Sequence, residues 1–386
     1  MKVLIAVGGG GHFSPALAVI EQMPKDWEVL LVGRKYAFEG DSALSLEYQT
    51  AQRLGLLFEP LTTGRFQRKL TRHTLTSLAK MPLGFAQAKK SIAKFQPDVV
   101  LSFGGYISVP VVLAAAVQRL PIVIHEQTFR AGLANKFALR FATRICISWK
   151  ESTQFFPKQK TVLTGNPLRK EFFSYSSSKG ESPHREVLDS ARTIKNYPLI
   201  YITGGSGGAH GINVLIEECL EKLLEKFNII HQTGDAKEFG DYDRLEKAKA
   251  QLPQELQKRY EVKKFIEPEK VINILQQADL VISRSGINTV TELLYLGKPS
   301  LFIPLPYGQQ HEQLVNANFV KKIGLAEVVD QLRISPEELF QKVIDMIFRL
   351  DSYQSHSTEA RKLIHTDAAG KIIKEVLCAK EKRATS

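Results

Sequence analysis

Val7-Gly8-Gly9-Gly10-Gly11-His12 follows the apolar run Lys2–Val7 and leaves through Ser14-Pro15. Far downstream, Leu199–Thr203 runs into Gly204-Gly205-Ser206-Gly207-Gly208 and out through Ala209. A glycine-rich turn between a strand and a helix lets backbone N–H groups close on a phosphate at the helix N-terminus. One such turn says little. Two, one near the start of each half, point to two similar α/β domains with a phosphate-rich ligand between them.

The sequence between and beyond these turns keeps one rhythm. Val3–Val7, Val29–Val32, Val99–Phe103, Ile122–His125 and Arg144–Ser148 are short β-branched runs separated by helical stretches. That alternation predicts a parallel sheet with crossover helices. Thr161–Thr164 closes the first half, and a polar loop is expected over 174–197, with Ser174, Ser176, Ser177 and Ser178. The pattern restarts with Leu199–Thr203, Ile229–Gln232, Leu280–Ser283 and Ser300–Ile303. Residues 235–260 read as charged, helical and exposed, and a last helix is expected from about Ala368 to Ala379. The division expected is residues 1–164 with a C-terminal helix over 366–386, and residues 165–365.

The 386 residues, 44% hydrophobic and 24% charged, suffice for two ordinary cores and argue against long disorder. Cys146, Cys219 and Cys378 lie far apart and give neither a metal spacing nor a disulfide framework, which fits a reducing compartment. The chain enters a strand at once, so no signal peptide is expected. The longest apolar run, near Val109–Val117, falls well short of the ~20 residues that span a bilayer. A cytoplasmic protein is expected.

The net charge of +12 is unevenly placed. Residues 65–94 carry Arg65, Arg68, Lys69, Arg72, Lys80, Lys89, Lys90 and Lys94 and no acid. Residues 127–150 also lack acids, with Lys136, Arg140 and Arg144 at helical i, i+4 spacing. Phe66, Leu70, Leu75, Leu78, Met81, Leu83 and Phe85 are interleaved among the bases of the first stretch. Such a surface suits an anionic membrane face, and a plain solvated basic surface reads the same way. Nucleic acid is not expected, because no stacking signature or DNA-reading motif accompanies the charge.

In the first loop Ser14 is placed to cap the following helix and Pro15 to sit in its first turn. His12 stands where the loop meets the ligand, and imidazole takes a proton near neutral pH. It is therefore a candidate general base toward a sugar hydroxyl, or a histidine that only hydrogen-bonds the loop. Ser102-Phe103-Gly104-Gly105-Tyr106 is a second strand-end glycine turn, and His125-Glu126-Gln127 ends another strand where doubly wound sheets bind ligands. Arg169, in Gly165-Asn166-Pro167-Leu168-Arg169, has the fork geometry for a diphosphate. Glu292, beyond Arg284-Ser285-Gly286 and Thr289, can accept both hydroxyls of a ribose. Gln309, Gln310, His311, Glu312, Gln313 and Asn316 cluster after Pro304-Leu305-Pro306 and suit sugar hydroxyls. Asp241-Tyr242-Asp243 has a metal-binding spacing but lies in a lysine-rich stretch away from any strand end, and no metal or other cofactor is expected.

Taken in series, these motifs resemble the MurG family of peptidoglycan glycosyltransferases over nearly the whole chain. The resemblance is carried by the loop ending in His12 with Pro15 beyond, Gly104-Gly105-Tyr106, His125-Glu126-Gln127 with Gly132 and Asn135, and Gly165-Asn166-Pro167-x-Arg169. Gly204-Gly205-Ser206-x-Gly208-Ala209, Arg284-Ser285-Gly286 with Thr289 and Glu292, and Gln313 with Asn316 complete it. The family commonly has Gly-Gly-Thr-Gly-Gly-His, where this chain has Val7 and Gly9 for the first glycine and the threonine. It commonly has asparagine where Thr128 stands.

The resemblance implies an α/β protein of the GT-B fold, two Rossmann-like domains with parallel sheets facing an interdomain cleft. It implies transfer of N-acetylglucosamine from UDP-N-acetylglucosamine to the 4-hydroxyl of N-acetylmuramic acid in lipid I. The product is lipid II, formed with inversion. His12 would be the base, with Glu126 as the other candidate. Ser206 and Arg169 would hold the donor diphosphate, Ile266 the uracil, Glu292 the ribose and Gln313 the sugar. Gly9, Gly10, Gly11, Thr128, Ile287, Asn288 and Thr289 would also line the donor. The acceptor diphosphate would lie on Gly10, Gly11, Gly104, Gly105 and Tyr106. The first half would rest on the anionic cytoplasmic membrane surface as a peripheral protein. Another lipid acceptor, such as diacylglycerol, and a UDP-N-acetylglucosamine 2-epimerase activity are the alternatives. The absence of Gly-x-Gly-x-x-Gly with a following acid weighs against a nicotinamide dehydrogenase.

Overall fold

A computed structural model describes residues 1–36, 44–64, 72–174, 197–205, 207–307 and 311–384. Arg65, Phe66, Arg68, Lys69, Leu70, Ser176, Ser177, Ser178, Ser206, Gln309 and Gln310, singled out above, lie outside the described residues. The chain forms two compact units, Met1–Lys170 with His365–Ser386, and Glu171–Ile364.

The first unit is built on β1 (Lys2–Ala6), β2 (Glu28–Gly33), β3 (Leu57–Pro60), β4 (Val99–Ser102), β5 (Ile122–Glu126), β6 (Arg144–Ile147) and β7 (Thr161–Leu163). They pair in parallel in the order β3-β2-β1-β4-β5-β6-β7. Ile5 of β1 stands in register with Leu31 on one side and Leu101 on the other. Successive side chains of β1 alternate between two cores. Leu4 and Ala6 face the helix Ser108–Val117 through Val111, Val112 and Ala115. Val3, Ile5 and Val7 face the helix Gly10–Ile20 and the last helix, Ala368–Ala384. A strand covered on both faces needs apolar residues at every position, which is why these runs read so plainly.

The second unit repeats the plan with β8 (Leu199–Thr203), β9 (Asn228–Gln232), β10 (Tyr260–Lys263), β11 (Leu280–Ser283), β12 (Ser300–Phe302) and β13 (Ala326–Val328). All are parallel, in the order β10-β9-β8-β11-β12-β13. In each unit the strand order reverses beside the strand that feeds the glycine loop, at β1/β4 and at β8/β11. A doubly wound sheet opens its ligand crevice at that point.

Several local expectations are corrected. β3, β10 and β13 have no counterpart among the strands read from the sequence. Each is a sheet edge, paired on one side only, and Leu57 of β3 is 57% exposed. The first helix begins at Gly10, with Gly9 at φ 130° as its cap residue, so Ser14 is no cap and Pro15 lies inside the helix. The helix Leu133–Ala138 ends before Arg140, and Arg144 belongs to β6, where it pairs with Glu375 at 3.2 Å. These three bases therefore do not form one helical stripe. The helix Asp241–Gln251 buries Asp241 and Leu245, so it is not simply exposed.

The last helix fills one core of the first unit with Ala369, Ile372, Val376 and Ala379. Ile372 is fully buried, so Ile372→Ala is expected to cost about 2–4 kcal/mol. Calorimetry should show one unfolding transition lowered by several degrees and the other unmoved. An unchanged thermogram would mean that this helix does not share the core.

Candidate active site

At the switch point of the first unit two glycine turns meet backbone to backbone. A Cβ on Gly8 would lie 2.4 Å from the Gly105 Cα, and one on Gly105 would lie 2.5 Å from the Gly8 Cα. Gly104 and Gly105 have φ of +91° and +79°, conformations that L side chains rarely adopt. The Gly104 carbonyl accepts from the Ser108 hydroxyl, which fixes the turn on its helix. Among the described residues nothing lies within 4 Å of a Cβ placed on Gly11. Gly10, Gly11 and His12 form the first turn of the helix, and the His12 and Phe13 N–H groups both turn back onto the Gly9 carbonyl, at 2.9 and 3.0 Å.

His12 is half-buried and makes no side-chain hydrogen bond among the described residues. Burial, and then the Arg34 cation, lower its pKa to about 4, so the imidazole is neutral at pH 7. Arg34 directly follows β2. Its guanidinium covers Gly9, where a Cβ would come within 2.8 Å of Nη2. Its Nε donates to Oε1 of the buried Glu47 at 3.1 Å. Glu47 sits in the first turn of the helix Leu46–Arg53, which Ser45 caps by accepting from the Tyr48 N–H.

Glu126 is buried, and burial raises its pKa against the pull of its hydrogen bonds. Oε1 accepts from the Thr128 N–H at 3.0 Å and faces the Thr128 hydroxyl at 2.8 Å. Oε2 accepts from the Gly132 N–H at 2.9 Å and from Asn135 Nδ2 at 3.0 Å. A carboxylate offers about four lone-pair sites, and these donors fill them. Glu126 thus ties down the turn 127–132 and is poorly placed as the alternative base. The Thr128 hydroxyl is engaged in the same knot, between Glu126 and the Arg130 carbonyl. His125 is fully buried, with Nε2 3.2 Å from the Gly165 carbonyl and pKa lowered by burial to about 4. Gly165, at φ +93°, packs against His365, so the chain leaves and rejoins this unit side by side. Arg169 lies at the end of the first part of this unit, half-buried.

In the second unit Gly208, at φ +74°, presses on the next loop, since its Cβ would come within 2.0 Å of the Thr233 carbonyl oxygen. Gly205, at φ +82°, and Gly207 have no described residue within 4 Å of a Cβ placed on them. Gln232, at the end of β9, donates from Nε2 to the Gly205 carbonyl and accepts the Ile266 N–H at Oε1, both at 3.0 Å. One amide therefore fixes the glycine loop and the segment of Ile266 together. His210 begins the helix His210–Glu218, with Nδ1 2.8 Å from Asp241 Oδ1. Asp241 Oδ2 accepts from Asn213 Nδ2 at 2.7 Å, and Arg244 pairs with Oδ1 at 2.8 Å. Burial alone would raise the Asp241 pKa, but its bonds from Asn213 and His210 hold it below the usual range. Asp241 is thus an internal organiser of this unit. Behind it, His231 bridges Asn213 and Tyr260, and burial lowers its pKa to about 3.

The helix Ile287–Leu296 starts at Gly286 and presents Asn288, Thr289 and Glu292, all half-buried, with Ile287 buried. Ser285 donates to the Gln313 carbonyl at 2.7 Å, and Asn316 Nδ2 donates to the Ser285 carbonyl at 2.9 Å. Gln313 Oε1 accepts the Leu305 N–H at 2.8 Å, which ties down the turn after β12. Arg284 spans the carbonyls of Ile303 and Pro304 and is structural. Arg34, Gln232 and His210 were not singled out from the sequence. The first two share one legible signal, a polar residue at the carboxyl end of the strand next to the glycine-loop strand.

Two outcomes test this arrangement. His125 and His231 are neutral and buried when folded, whereas the unfolded chain takes up their protons below about pH 6.5. Stability should be complete above that pH and fall as the pH drops toward the folded values near 4 and 3, read as thermal midpoint against pH. In Glu126→Gln the amide would turn a donor toward N–H groups. The variant should lose activity and local protection from hydrogen exchange over 127–132, while the acid limb of the rate profile stays in place. A shifted limb would restore Glu126 as a titrating base.

Residues 3–147 match the N-terminal domain of glycosyltransferase family 28, and residues 199–373 match its C-terminal domain. The chain is 32% identical to a UDP-N-acetylglucosamine--N-acetylmuramyl-(pentapeptide) pyrophosphoryl-undecaprenol N-acetylglucosamine transferase of Lachnoclostridium phytofermentans, over 97% of this chain and 98% of that one. It is 34% identical to the protein of the same description from Geobacter metallireducens, over 99% and 100%. The crystal structure of Acinetobacter baumannii MurG superposes with a TM-score of 0.69 at 25% identity, covering 97% of this chain and 99% of that one. The two parallel-sheet units are those of the GT-B glycosyltransferase fold, and the chain belongs to the MurG family.

Proposed function

We propose that this protein transfers N-acetylglucosamine from UDP-N-acetylglucosamine to the 4-hydroxyl of N-acetylmuramic acid in lipid I, giving lipid II and UDP. Near-full-length identity to transferases of that description supports the reading. The observation that carries the chemistry is the neutral imidazole of His12 in the first turn of a helix, beside two interlocked glycine turns. A base and an anion seat stand together there.

The acceptor's diphosphate lies along Gly10, Gly11, Gly104, Gly105 and Tyr106, at a helix N-terminus and the glycine turn beside it. The sugar hydroxyl attacks the anomeric carbon of the donor, the bond to UDP breaks, and the configuration inverts. His12 takes the hydroxyl proton. The donor lies on the second unit, with its diphosphate on the loop 204–208, while Arg169, the guanidinium that the family resemblance assigns to the donor, is carried at the end of the first unit's segment Met1–Lys170. The leaving charge meets backbone N–H groups and a guanidinium. Uracil lies against Ile266, whose N–H is already held by Gln232. Glu292 accepts from the ribose, with Ile287, Asn288 and Thr289 beside it. Gln313 meets the sugar with its amide nitrogen, since its oxygen is held by Leu305.

Among the described residues no helix is long and apolar enough to cross a membrane. Leu83, Leu133 and Phe137 are nonetheless exposed near Lys89, Lys90, Lys136 and Arg140. Exposed apolar groups in segments rich in lysine and arginine support peripheral binding at an anionic cytoplasmic membrane face.

Transfer of radiolabel from UDP-N-acetylglucosamine to a short-chain lipid I analogue tests the reading, with diacylglycerol as the competing acceptor. Labelled UDP-N-acetylmannosamine formed from donor alone would favour the epimerase instead. His12→Ala should keep donor affinity and lose transfer by about 100-fold or more. The wild-type kcat/KM should hold from pH 8 down to about 5.5 and fall toward pH 4 as the imidazole protonates. Near-wild-type transfer by His12→Ala at saturating donor would remove it as the base.

A further inference from the structure

We propose that Gln232 is a positioning residue of the donor site, its one side-chain amide setting both the turn from Gly205 to Gly208 and the segment of Ile266. The inference rests on the proposed donor reading, in which that turn takes the diphosphate and that segment the uracil. A single buried side chain then governs both ends of the nucleotide.

Strand order places it there. β9 lies between β8 and β10. Gln232, the last residue of β9, stands in register with Thr203, the last of β8, and with Lys263, the last of β10. β8 runs out into the glycine turn, and β10 runs out toward Ile266. A side chain at the carboxyl end of β9 can therefore reach both exits. Neighbouring strand residues point to opposite faces. His231 goes to Asn213 and Tyr260, and Gln232 goes to the other side.

The amide has one possible orientation. The Gly205 carbonyl can only accept and the Ile266 N–H can only donate, so Nε2 faces the first and Oε1 the second. Both bonds are 3.0 Å long, and Gln232 is 4% exposed. The Gly205 carbonyl also accepts the Gly208 N–H at 3.0 Å, which closes the turn. The Thr203 hydroxyl accepts the Gly205 N–H at 3.0 Å. Gln232 thus acts on the residue through which the turn holds itself. On the other side Ile266 is buried, and the helix Pro268–Gln277 begins just beyond it.

A buried N–H or carbonyl that loses its partner must find another, so removing the amide lets both segments shift. A ligand must then order them itself, and its affinity falls by that cost. Both polar atoms of the amide are engaged by the protein, so Gln232 acts through the two segments and not on the ligand. One substitution should therefore weaken recognition of uracil and of diphosphate together.

The test uses the full-length protein and displacement of radiolabelled UDP by uridine and by inorganic pyrophosphate. Gln232→Met should weaken UDP binding by about 10-fold or more, and each fragment by about 3- to 10-fold. In turnover its donor KM should rise, with the acceptor KM within about twofold of wild type. Gln232→Glu separates the two arms. Its carboxylate still accepts the Ile266 N–H but cannot donate to the Gly205 carbonyl. At pH 8 uridine should bind within about twofold of wild type and pyrophosphate about 10-fold or more weakly. Protonation restores a donor in the shape of the amide, and burial favours it, so the pyrophosphate deficit should close by about pH 5.5. The comparison is with wild type at the same pH, which cancels the titration of the ligand and of other groups. A general loss of packing would not recover with the proton, and the uncharged Gln232→Met excludes simple repulsion. If neither fragment displaces UDP from the wild type, the donor reading itself is wrong. If both displace it but Gln232→Met weakens only one or neither, the role of Gln232 is refuted. An absence of recovery in Gln232→Glu at low pH refutes it as well.

Discussion

The contact of Gly8 with Gly105 is the constraint on which the first unit depends. Two strand-end turns touch through their α-carbons, with no room for a single methyl group. That contact joins β1 to β4 at the place where the strand order reverses. The second unit reaches a comparable end by a different pairing. There Gly208 presses on Thr233 and Gly234, the residues that follow β9. In both units the backbone itself is the packing surface. Side chains such as His12 and Gln232 are placed by turns that tolerate almost no substitution.

Most of the fold was legible because the central strands are covered on both faces. Ile5, Leu101, Ile124 and Ile145 lie in fully buried positions, and runs of that kind stand out in any window. β3, β10 and β13 were not legible, since an edge strand carries a mixture such as Leu57-Phe58-Glu59-Pro60. The start of the first helix was misread for a different reason. Ser14-Pro15 is a strong local signal for a helix start, but four residues upstream the helix is already formed at Gly10.

The site was legible as a set of residue types and less so as a set of jobs. His12, Glu292 and Gln313 could be named from motif and position. What Glu126 does could not be read, because its role depends on four donors contributed by Thr128, Gly132 and Asn135. Arg34 and Gln232 follow no motif. Their importance comes from contacts with Gly9 and Gly205 that only the folded chain creates. Asp241 shows the reverse case, a carboxylate whose spacing suggested a ligand for an ion and whose surroundings make it an internal acceptor for His210, Asn213 and Arg244.

The packing of His365 on Gly165, with the helix Ala368–Ala384 closing the core behind β1 and β4, makes the second unit an insertion within the first. During synthesis the whole of Glu171–Ile364 is made before the segment that seals the first unit emerges. Until then Val3, Ile5 and Leu101 have one open flank. The inserted unit can assemble on its own while the amino-terminal sheet waits, an order of maturation that leaves the waiting sheet the natural client of chaperones that shield apolar surfaces.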